Sequence, residues 1–512
     1  MVQEAENLKE WIELQLKLQR KLQRELKQSQ VFEDSLNQYA KIFHRDFKKM
    51  QRVEPPSFYR ALLKTDVLFI GDFHSLGQSQ KFLLRLLRDK NLRKPEFLGL
   101  EALDSKDEKI LHRLLLNPKS LTEDMIKKLL PIDDWGSSWQ NYREIFLECH
   151  KNSIKIKGLK AEKKSLKQRD EEAAMRISQF SGPSWIFFGE FHCARPHLPM
   201  CLRTLNSKKK IVVLQQNEDR LLEQHLQEIS SHRRLYFQSK SSSSIDLFCA
   251  LHTPAWVKWQ SYLDQQNRIE GDESPISAQE QIHWSLETLW SFLKDPRYLS
   301  SRSLDDLLDV NVIAIHDEDF DLSVKSLPSS KRKEFLRSIE FTRTASFSNE
   351  RKIFISETSI NSCAQAAAAY LYQSWSGQGL IYRNFLQSAL TESICFFLTK
   401  ILNHSRKTKP WHELRSLDKD LAKAVSRGRN SISVFSTKKD FLLSQRKEWI
   451  AGGIQLGRIL ADLLFEAFLA GEFSKARLNR FLTQAPKNDR EILERLIEIQ
   501  SIGKSFERPI RN

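Results

Sequence analysis

Residues 67–74 read Val-Leu-Phe-Ile-Gly-Asp-Phe-His, and residues 185–192 read Trp-Ile-Phe-Phe-Gly-Glu-Phe-His. Each stretch is an apolar run that ends in glycine and continues with an acid, a phenylalanine and a histidine. A short, continuously apolar run is typical of a strand that is buried on both faces of a parallel sheet. Glycine allows the chain to turn sharply where it leaves the sheet. The two stretches therefore predict two equivalent strand ends.

Further short apolar runs alternate with helical patterns between and after these two stretches. They are residues 97–100, 154–159 and 211–214. Strand–helix alternation with such strands predicts an α/β domain of three layers, in which helices cover both faces of a mainly parallel sheet. We assign this domain to residues 55–263 and expect a mostly α-helical region after it.

The remaining domain boundaries follow from composition. Residues 1–54 form an N-terminal amphipathic helical segment, because Leu8, Trp11, Leu14 and later leucines recur at three- and four-residue steps. This helix could mediate self-association or pack on its own domain. A polar stretch, residues 264–276, is interpreted as a linker, and residues 277–512 as the mostly helical C-terminal region. Within this region the sequence predicts several helices, one of them at residues 412–426, and a short pair of strands at residues 312–315 and 352–355.

The two repeated strand ends predict one site. In an open parallel sheet, ligands bind outside the carboxyl ends of the strands. Asp72, His74, Glu190 and His192 would project there, and Glu101, which ends another strand, can join them. Such groups could form a general acid/base pair, could bind a divalent metal through His74, His192 and Glu190, or could ligate haem iron through histidine. Alternatively, each acid caps the following helix and each histidine fills a polar corner.

A nearby arginine is a candidate for binding an anionic group. Arg169 lies at or near the start of a helix that follows the third predicted strand, and its guanidinium could point into the crevice. Alternatively, and with equal weight, Arg169 lies on an ordinary solvent-exposed face of this helix and binds no ligand. Arg169 therefore complements His74 and His192 as a candidate cofactor-binding residue.

Composition limits the classes of function. The 512 residues carry 81 Lys and Arg against 65 Asp and Glu, a net charge of +16. A basic excess can indicate nucleic acid, an anionic membrane surface or an anionic ligand, or it can reflect a solvated basic surface. We expect haem or a small anionic ligand as the partner and do not expect nucleic acid. None of the six cysteines forms a CxxC pair, so they are interpreted as scattered thiols in a reducing compartment. We expect neither a signal peptide nor a membrane-spanning run. These features together predict a cytoplasmic location. No phosphate-loop, dinucleotide-binding, HExxH or GxSxG motif occurs.

Residues 60–263 resemble the ChaN-like haem-binding proteins, which share a superfamily with the Tiki/TraB proteins and the erythromycin esterases. The likeness rests on the paired Gly-acid-x-His motifs, on a strand that ends in Leu-Glu and on an Arg-Asp helix. It implies a three-layer α/β fold in which Asp72, His74, Glu101, Glu190 and His192 line the site.

The resemblance implies haem binding in the ChaN branch and hydrolysis in the other branches, metal-dependent in the Tiki branch. Three hypotheses follow: a haem-binding protein, a metal-dependent hydrolase that uses the same residues, and a non-catalytic scaffold. Whether the protein is an enzyme stays open at this point.

Overall fold

The structure is a computed structural model that describes residues 2–29, 34–161, 165–228, 234–239, 244–269, 278–293, 303–315, 317–356, 359–377, 382–406 and 447–504. The chain forms two compact units. The first comprises Leu18–Glu273, and the second comprises Met1–Lys17 together with Ser274–Asn512. Helix α1 (Val2–Ser29) contributes to both units.

The first unit is built on an eight-stranded sheet. Its strands are β1 (Met50–Val53), β2 (Val67–Asp72), β3 (Phe97–Leu100), β4 (Lys155–Gly158), β5 (Ser184–Gly189), β6 (Ile211–Gln216), β7 (Leu235–Ser239) and β8 (Asp246–Leu251). Their order is β1-β7-β8-β6-β2-β5-β3-β4. The six strands from β8 to β4 in this order are parallel, and β7 pairs antiparallel with β1 and β8. The predicted mainly parallel sheet is confirmed.

Helices cover both faces of this sheet. They are α2 (Asp34–Asp46), α3 (Pro55–Leu63), α4 (Gly77–Arg88), α5 (Glu108–Leu116), α6 (Glu123–Leu129), α7 (Ile132–Trp135), α8 (Trp139–Lys151), α9 (Leu166–Ser178), α10 (Leu198–Leu205), α11 (Asp219–His225) and α12 (Ala255–Ile269). Leu68 and Ile70 of β2 face a core built with α3, α4, α5, α6 and α8. Val67 and Phe69 face a second core built with α9 and α10. Because alternate strand residues point to opposite faces, the continuously apolar strands give the three predicted layers.

The second unit is mostly helical, as predicted. Its helices after the first unit are α13 (Ala278–Leu293), α14 (Leu304–Leu308), α15 (Phe320–Lys325), α16 (Ser329–Thr342), α17 (Ile360–Ser376), α18 (Phe385–Leu402), α19 (Lys447–Leu469), α20 (Lys475–Thr483) and α21 (Asp489–Lys504). A three-stranded sheet comprises β9 (Asn311–Ala314), β10 (Thr344–Phe347) and β11 (Lys352–Ile355), in the order β10-β11-β9. Helix α18 has the length and apolar composition to cross a membrane, but 94% of its residues are buried within the protein, as in the core helix of a globular unit.

Three features bear on the assigned boundaries. Helix α12 continues through residues 264–269, the first part of the stretch interpreted as a linker, and the rest of that stretch lies outside the described residues. Residues 1–54 are divided between the two units. The apolar side chains of α1 that could pair two chains, including Trp11 and Leu22, are buried within this chain.

Candidate functional site

The two motifs end neighbouring parallel strands, β2 and β5, but they are offset by one residue. Asp72 lies opposite Gly189, whereas the sequence pattern equates Asp72 with Glu190. Because side chains alternate between the two faces of a sheet, an offset of one residue sends equivalent side chains in opposite directions. The two acids of the motifs therefore enter different surroundings.

The first histidine is held by the acid of its own motif. His74 Nδ1 lies 2.9 Å from Asp72 Oδ2, and Asp72 Oδ1 accepts a hydrogen bond from Gln80 Nε2 of α4 at 3.0 Å. The His74 ring stacks on Trp135 of α7, with centroids 3.9 Å apart. Burial alone would lower the pKa of His74, but Asp72 and Glu101 outweigh it and raise the pKa. Burial raises the pKa of Asp72, against the lowering effect of His74.

The second histidine is held by an acid from another element. His192 Nδ1 lies 2.6 Å from Asp170 Oδ1 of α9. Tyr39 of α2 donates its hydroxyl to the other oxygen of Asp170 at 3.1 Å. The Tyr39 ring also stacks on His197 at 3.8 Å and contacts His192 edge-on at 5.7 Å. Burial and Asp170 raise the pKa of Tyr39, so this phenol stays protonated and donates. Each motif histidine thus has its Nδ1 engaged by a buried aspartate.

The two imidazoles meet beside Gly189, the last residue of β5. A Cβ atom at Gly189 would lie 3.3 Å from His74 Nε2, 3.6 Å from His192 Cδ2 and 3.2 Å from Glu101 Oε2. The His74 Nε2 and His192 Cδ2 atoms are therefore at most 6.9 Å apart, the sum of their distances to this point. Glu101 accepts a hydrogen bond from the Gly189 backbone nitrogen at 2.6 Å and lies 3.7 Å from His74 Nε2. The structure brings together His74, His192 and Glu101.

Glu190 faces a different partner. Its carboxylate forms a buried ion pair with Lys258 of α12, with Nζ 3.1 Å from Oε1. The same ammonium group lies 4.7 Å from the centre of the Phe73 ring. Burial raises the pKa of Glu190, and Lys258 partly offsets this effect. The structure therefore does not bring the three predicted metal ligands, His74, His192 and Glu190, together around one point, because the Glu190 carboxylate is paired with Lys258.

Arg169 has no hydrogen bond to the two histidines. It is half-buried, and its Nε is buried without a hydrogen-bond partner among the described residues. The next residue, Asp170, is the one that contacts His192. Asp170 is followed by Ala173, Ala174 and Ile177 on the buried face of α9. The spacing i, i+3, i+4, i+7 puts Asp170 on the apolar face of α9. This pattern could have identified Asp170 as a buried acid from the sequence alone.

Three further side chains of the site were not predicted, namely Tyr39, Trp135 and Lys258. They come from α2, α7 and α12, which are distant from the motifs along the chain. No local pattern distinguishes them from ordinary core aromatics or surface lysines, because their proximity to the site arises only from tertiary packing.

The chemistry available at this site is that of two oriented imidazoles and a carboxylate. Within the described ranges, no group of three or more His, Cys, Asp or Glu side chains is arranged to hold a metal ion. A histidine whose Nδ1 is hydrogen-bonded to a carboxylate presents its Nε2 as a ligand or a base. Both imidazoles are fixed in this way.

Residues 58–181 match the family of haem-binding uptake proteins described as ChaN, of the Tiki superfamily. The match confirms the family resemblance for this part of the chain, which includes the first motif, Glu101 and Asp170 and ends before the second motif. No curated protein and no solved structure matches the chain.

Proposed function

We propose that the protein binds haem, or a closely related iron porphyrin, at the site formed by His74, His192 and Glu101. The observation that carries this proposal is the arrangement of the two histidines. Each has its Nδ1 held by a buried aspartate, and both approach the same point beside Gly189. The family description of residues 58–181 points to the same ligand.

The residues present fit an iron porphyrin. Neutral imidazole is a common axial ligand of haem iron, and a hydrogen bond from the other ring nitrogen to a carboxylate fixes the ring and raises its basicity. Asp72 supplies this bond to His74 and Asp170 supplies it to His192. The ring of Trp135 stacked on His74 contributes an apolar wall. The iron would supply the redox or ligand-binding chemistry.

Arg169 is proposed to interact with an anionic group of the ligand. It lies directly before Asp170 on α9, and its Nε is buried without a hydrogen-bond partner among the described residues. A porphyrin propionate is an anion that a guanidinium binds well. This assignment depends on haem binding and fails with it.

A hydrolase is the second candidate, and one observation favours it. Asp72, His74 and Glu101 form a chain in which a carboxylate lies near each nitrogen of one imidazole, at 2.9 and 3.7 Å. Such a chain could move a proton during hydrolysis. A bound metal would be needed for the metal-dependent version, and metal analysis of the purified protein and of Glu101→Ala would test it. The convergence of the two histidines supports ligand binding over a purely scaffolding role.

A haem titration followed at the Soret band tests the first proposal. We expect the wild-type protein to shift the band with saturable, one-to-one binding. The variant His74→Ala/His192→Ala should lose most of this shift, while His112→Ala/His150→Ala, in which two exposed histidines are replaced, should retain it. Absence of a shift in the wild-type protein, or an equal shift in both variants, would contradict haem binding at this site.

A further inference from the structure

Strand β4 lies at one edge of the eight-stranded sheet, and within the described residues no strand pairs with its outer side. It pairs with β3 alone, through bonds such as that from Lys155 N to Glu96 O at 2.9 Å. Since the backbone groups of successive residues point to opposite edges of a strand, the N–H and C=O groups of Ile156 point away from β3. An unpaired edge of this kind can accept a further strand.

One end of this edge is already engaged. Glu108 of α5 accepts a hydrogen bond from Gly158 N at 2.9 Å and pairs with Lys157 at 2.9 Å. The open part is centred on Ile156, whose N–H and C=O groups form no hydrogen bond with a described residue on the outer side. Because a short edge supplies few backbone hydrogen bonds, a strand that binds there must also be held by its side chains.

A groove lies beside the open edge and offers contacts for such side chains. It has a volume of about 780 Å³ and is bordered by α5, β4 and the C-terminal end of α8. Leu111 and Leu115 of α5 line it together with Ile154 and Ile156, and these four side chains pack in one core cluster. In a strand added next to β4, every second side chain would point to the same face of the sheet as Ile156 and enter this groove.

The rim of the groove is positively charged. Lys109 and Arg113 are exposed on α5, and Lys155 is exposed on β4. None of these three groups forms an ion pair with a carboxylate within the described ranges. The Lys155 ammonium group instead lies 5.6 Å from the centre of the Phe97 ring. The rim therefore presents three cations to whatever enters the groove.

The charge decides between two kinds of occupant. The acid that lines the groove, Glu108, is neutralised by Lys157. A second copy of this chain, docked edge to edge, would bring the same cations against one another, and like charges across paired strands are destabilising. A strand that alternates acidic and apolar residues instead places its apolar side chains in the groove and its acidic side chains beside Lys155.

We propose that the edge of β4 and this groove bind an extended acidic segment of a partner protein, which adds to the sheet as a further strand. Its apolar residues would contact Leu111, Leu115 and Ile156. Strand addition is a general mode of peptide recognition, in which backbone hydrogen bonds give affinity and contacts of alternate side chains give specificity. The site is separate from the histidine site and does not depend on haem binding.

Fluorescence polarisation with the full-length protein and the labelled peptide acetyl-Glu-Val-Glu-Ile-Glu-Val-Glu-amide tests this proposal. We expect saturable one-to-one binding by the wild-type protein. The variant Lys109→Glu/Arg113→Glu/Lys155→Glu should bind at least about tenfold more weakly, because attraction becomes repulsion. The same peptide with lysine in place of glutamate should not bind the wild type.

Two control variants accompany this experiment. Lys64→Glu/Lys128→Glu/Lys208→Glu changes the net charge by the same amount at three exposed lysines of the first unit that do not line the groove. It should bind the acidic peptide as the wild type does. His74→Ala/His192→Ala should also bind it normally, so that failure of the haem proposal and failure of this one are distinguishable.

Methylation of the peptide backbone separates strand addition from simple attraction between charges. Methyl groups on every second amide nitrogen block one edge of the peptide strand, and methyl groups on the remaining nitrogens block the other edge. We expect one methylated peptide to lose binding and the other to retain it, because only one edge faces β4. Both are measured with the wild-type protein, so this readout does not depend on the folding of a variant.

Three results would overturn the proposal. They are absence of saturable binding of the acidic peptide by the wild type, undiminished binding by the variant with the reversed rim charges, and equal effects of the two methylation patterns.

Discussion

At the scale of single residues, the site depends on which acid reaches which histidine. The register places Asp72 opposite Gly189, so Asp72 binds the histidine of its own motif, while Glu190 binds Lys258. His192 instead takes its carboxylate from Asp170. The two motifs follow the same pattern in sequence, but their acids have different partners in the structure. Even so, the Nδ1 atom of each histidine is engaged by an aspartate.

Gly189 is the residue at which this arrangement can be tested with one methyl group. We expect Gly189→Ala to reduce haem affinity on the order of tenfold, because the added Cβ would meet Glu101 Oε2 at 3.2 Å and His74 Nε2 at 3.3 Å and displace both. Gly77→Ala is a matched control, since its Cβ would meet Asn141 Nδ2 at 3.2 Å and no imidazole. Soret titrations of the two variants would contradict the account if they gave equal affinities.

The sequence predicted part of this site. Position at a strand end was sufficient to select Asp72, His74, Glu101 and His192, because the carboxyl ends of parallel strands share one edge. It was not sufficient to predict the one-residue offset, which depends on how β2 and β5 pair. The same information cannot select Tyr39 or Trp135, whose contacts with the histidines arise from the packing of separate helices.

At the scale of secondary-structure elements, α2 is part of the site through its contacts with the second motif. Tyr39 contacts Asp170, His192 and His197, and Asp46 binds Arg195. Arg195 donates to Asp46 from its backbone nitrogen at 3.0 Å and from its guanidinium at 2.8 and 3.1 Å. The end of α2 is thereby attached to the turn after His192.

Removing the charge of Asp46 should loosen this helix. In Asp46→Asn the mostly buried Arg195 loses its counter-charge, so we expect amide hydrogens of residues 34–46 to exchange faster, on the order of tenfold. Hydrogen exchange measured by mass spectrometry checks this, with Arg45→Ala, which alters an exposed side chain of the same helix, as the control. Unchanged exchange in Asp46→Asn would show that other contacts hold α2.

At the scale of the whole molecule, sequence patterns predicted the architecture better than the boundaries. The five predicted strands of the first unit appear as β2 to β6, because a continuously apolar run has few alternatives to burial in a sheet. The predicted strands 312–315 and 352–355 appear as β9 and β11, whereas β10 was not predicted. The division of α1 between two units depends on long-range packing, which helical periodicity does not encode. A predicted helix at residues 412–426 lies outside the described residues.

The stability of the molecule should fall in mild acid because of one histidine. Burial and Lys400 lower the pKa of His404 to about 3, whereas its ordinary value is 6.5. Between these values the unfolded chain binds a proton that the folded chain does not, so the free energy of unfolding decreases as the pH falls below 6.5. From about pH 7.5 to about pH 5.5 this residue should remove about 1.4 kcal/mol.

Urea unfolding of the wild type and of His404→Gln at the two pH values isolates this contribution. The variant should lose less stability than the wild type over the same pH interval, because glutamine does not titrate. An equal loss in both proteins would mean that His404 is protonated, or exposed, in the folded state.

The most direct test of the central claim is a double-mutant cycle on haem affinity with His74→Ala, His192→Ala and the double variant. If both imidazoles act on one ligand, the losses will be non-additive, with a coupling energy of at least about 1 kcal/mol. The wild-type protein should bind a single haem. Strictly additive losses, or a second haem bound independently of the first, would contradict a shared site beside Gly189.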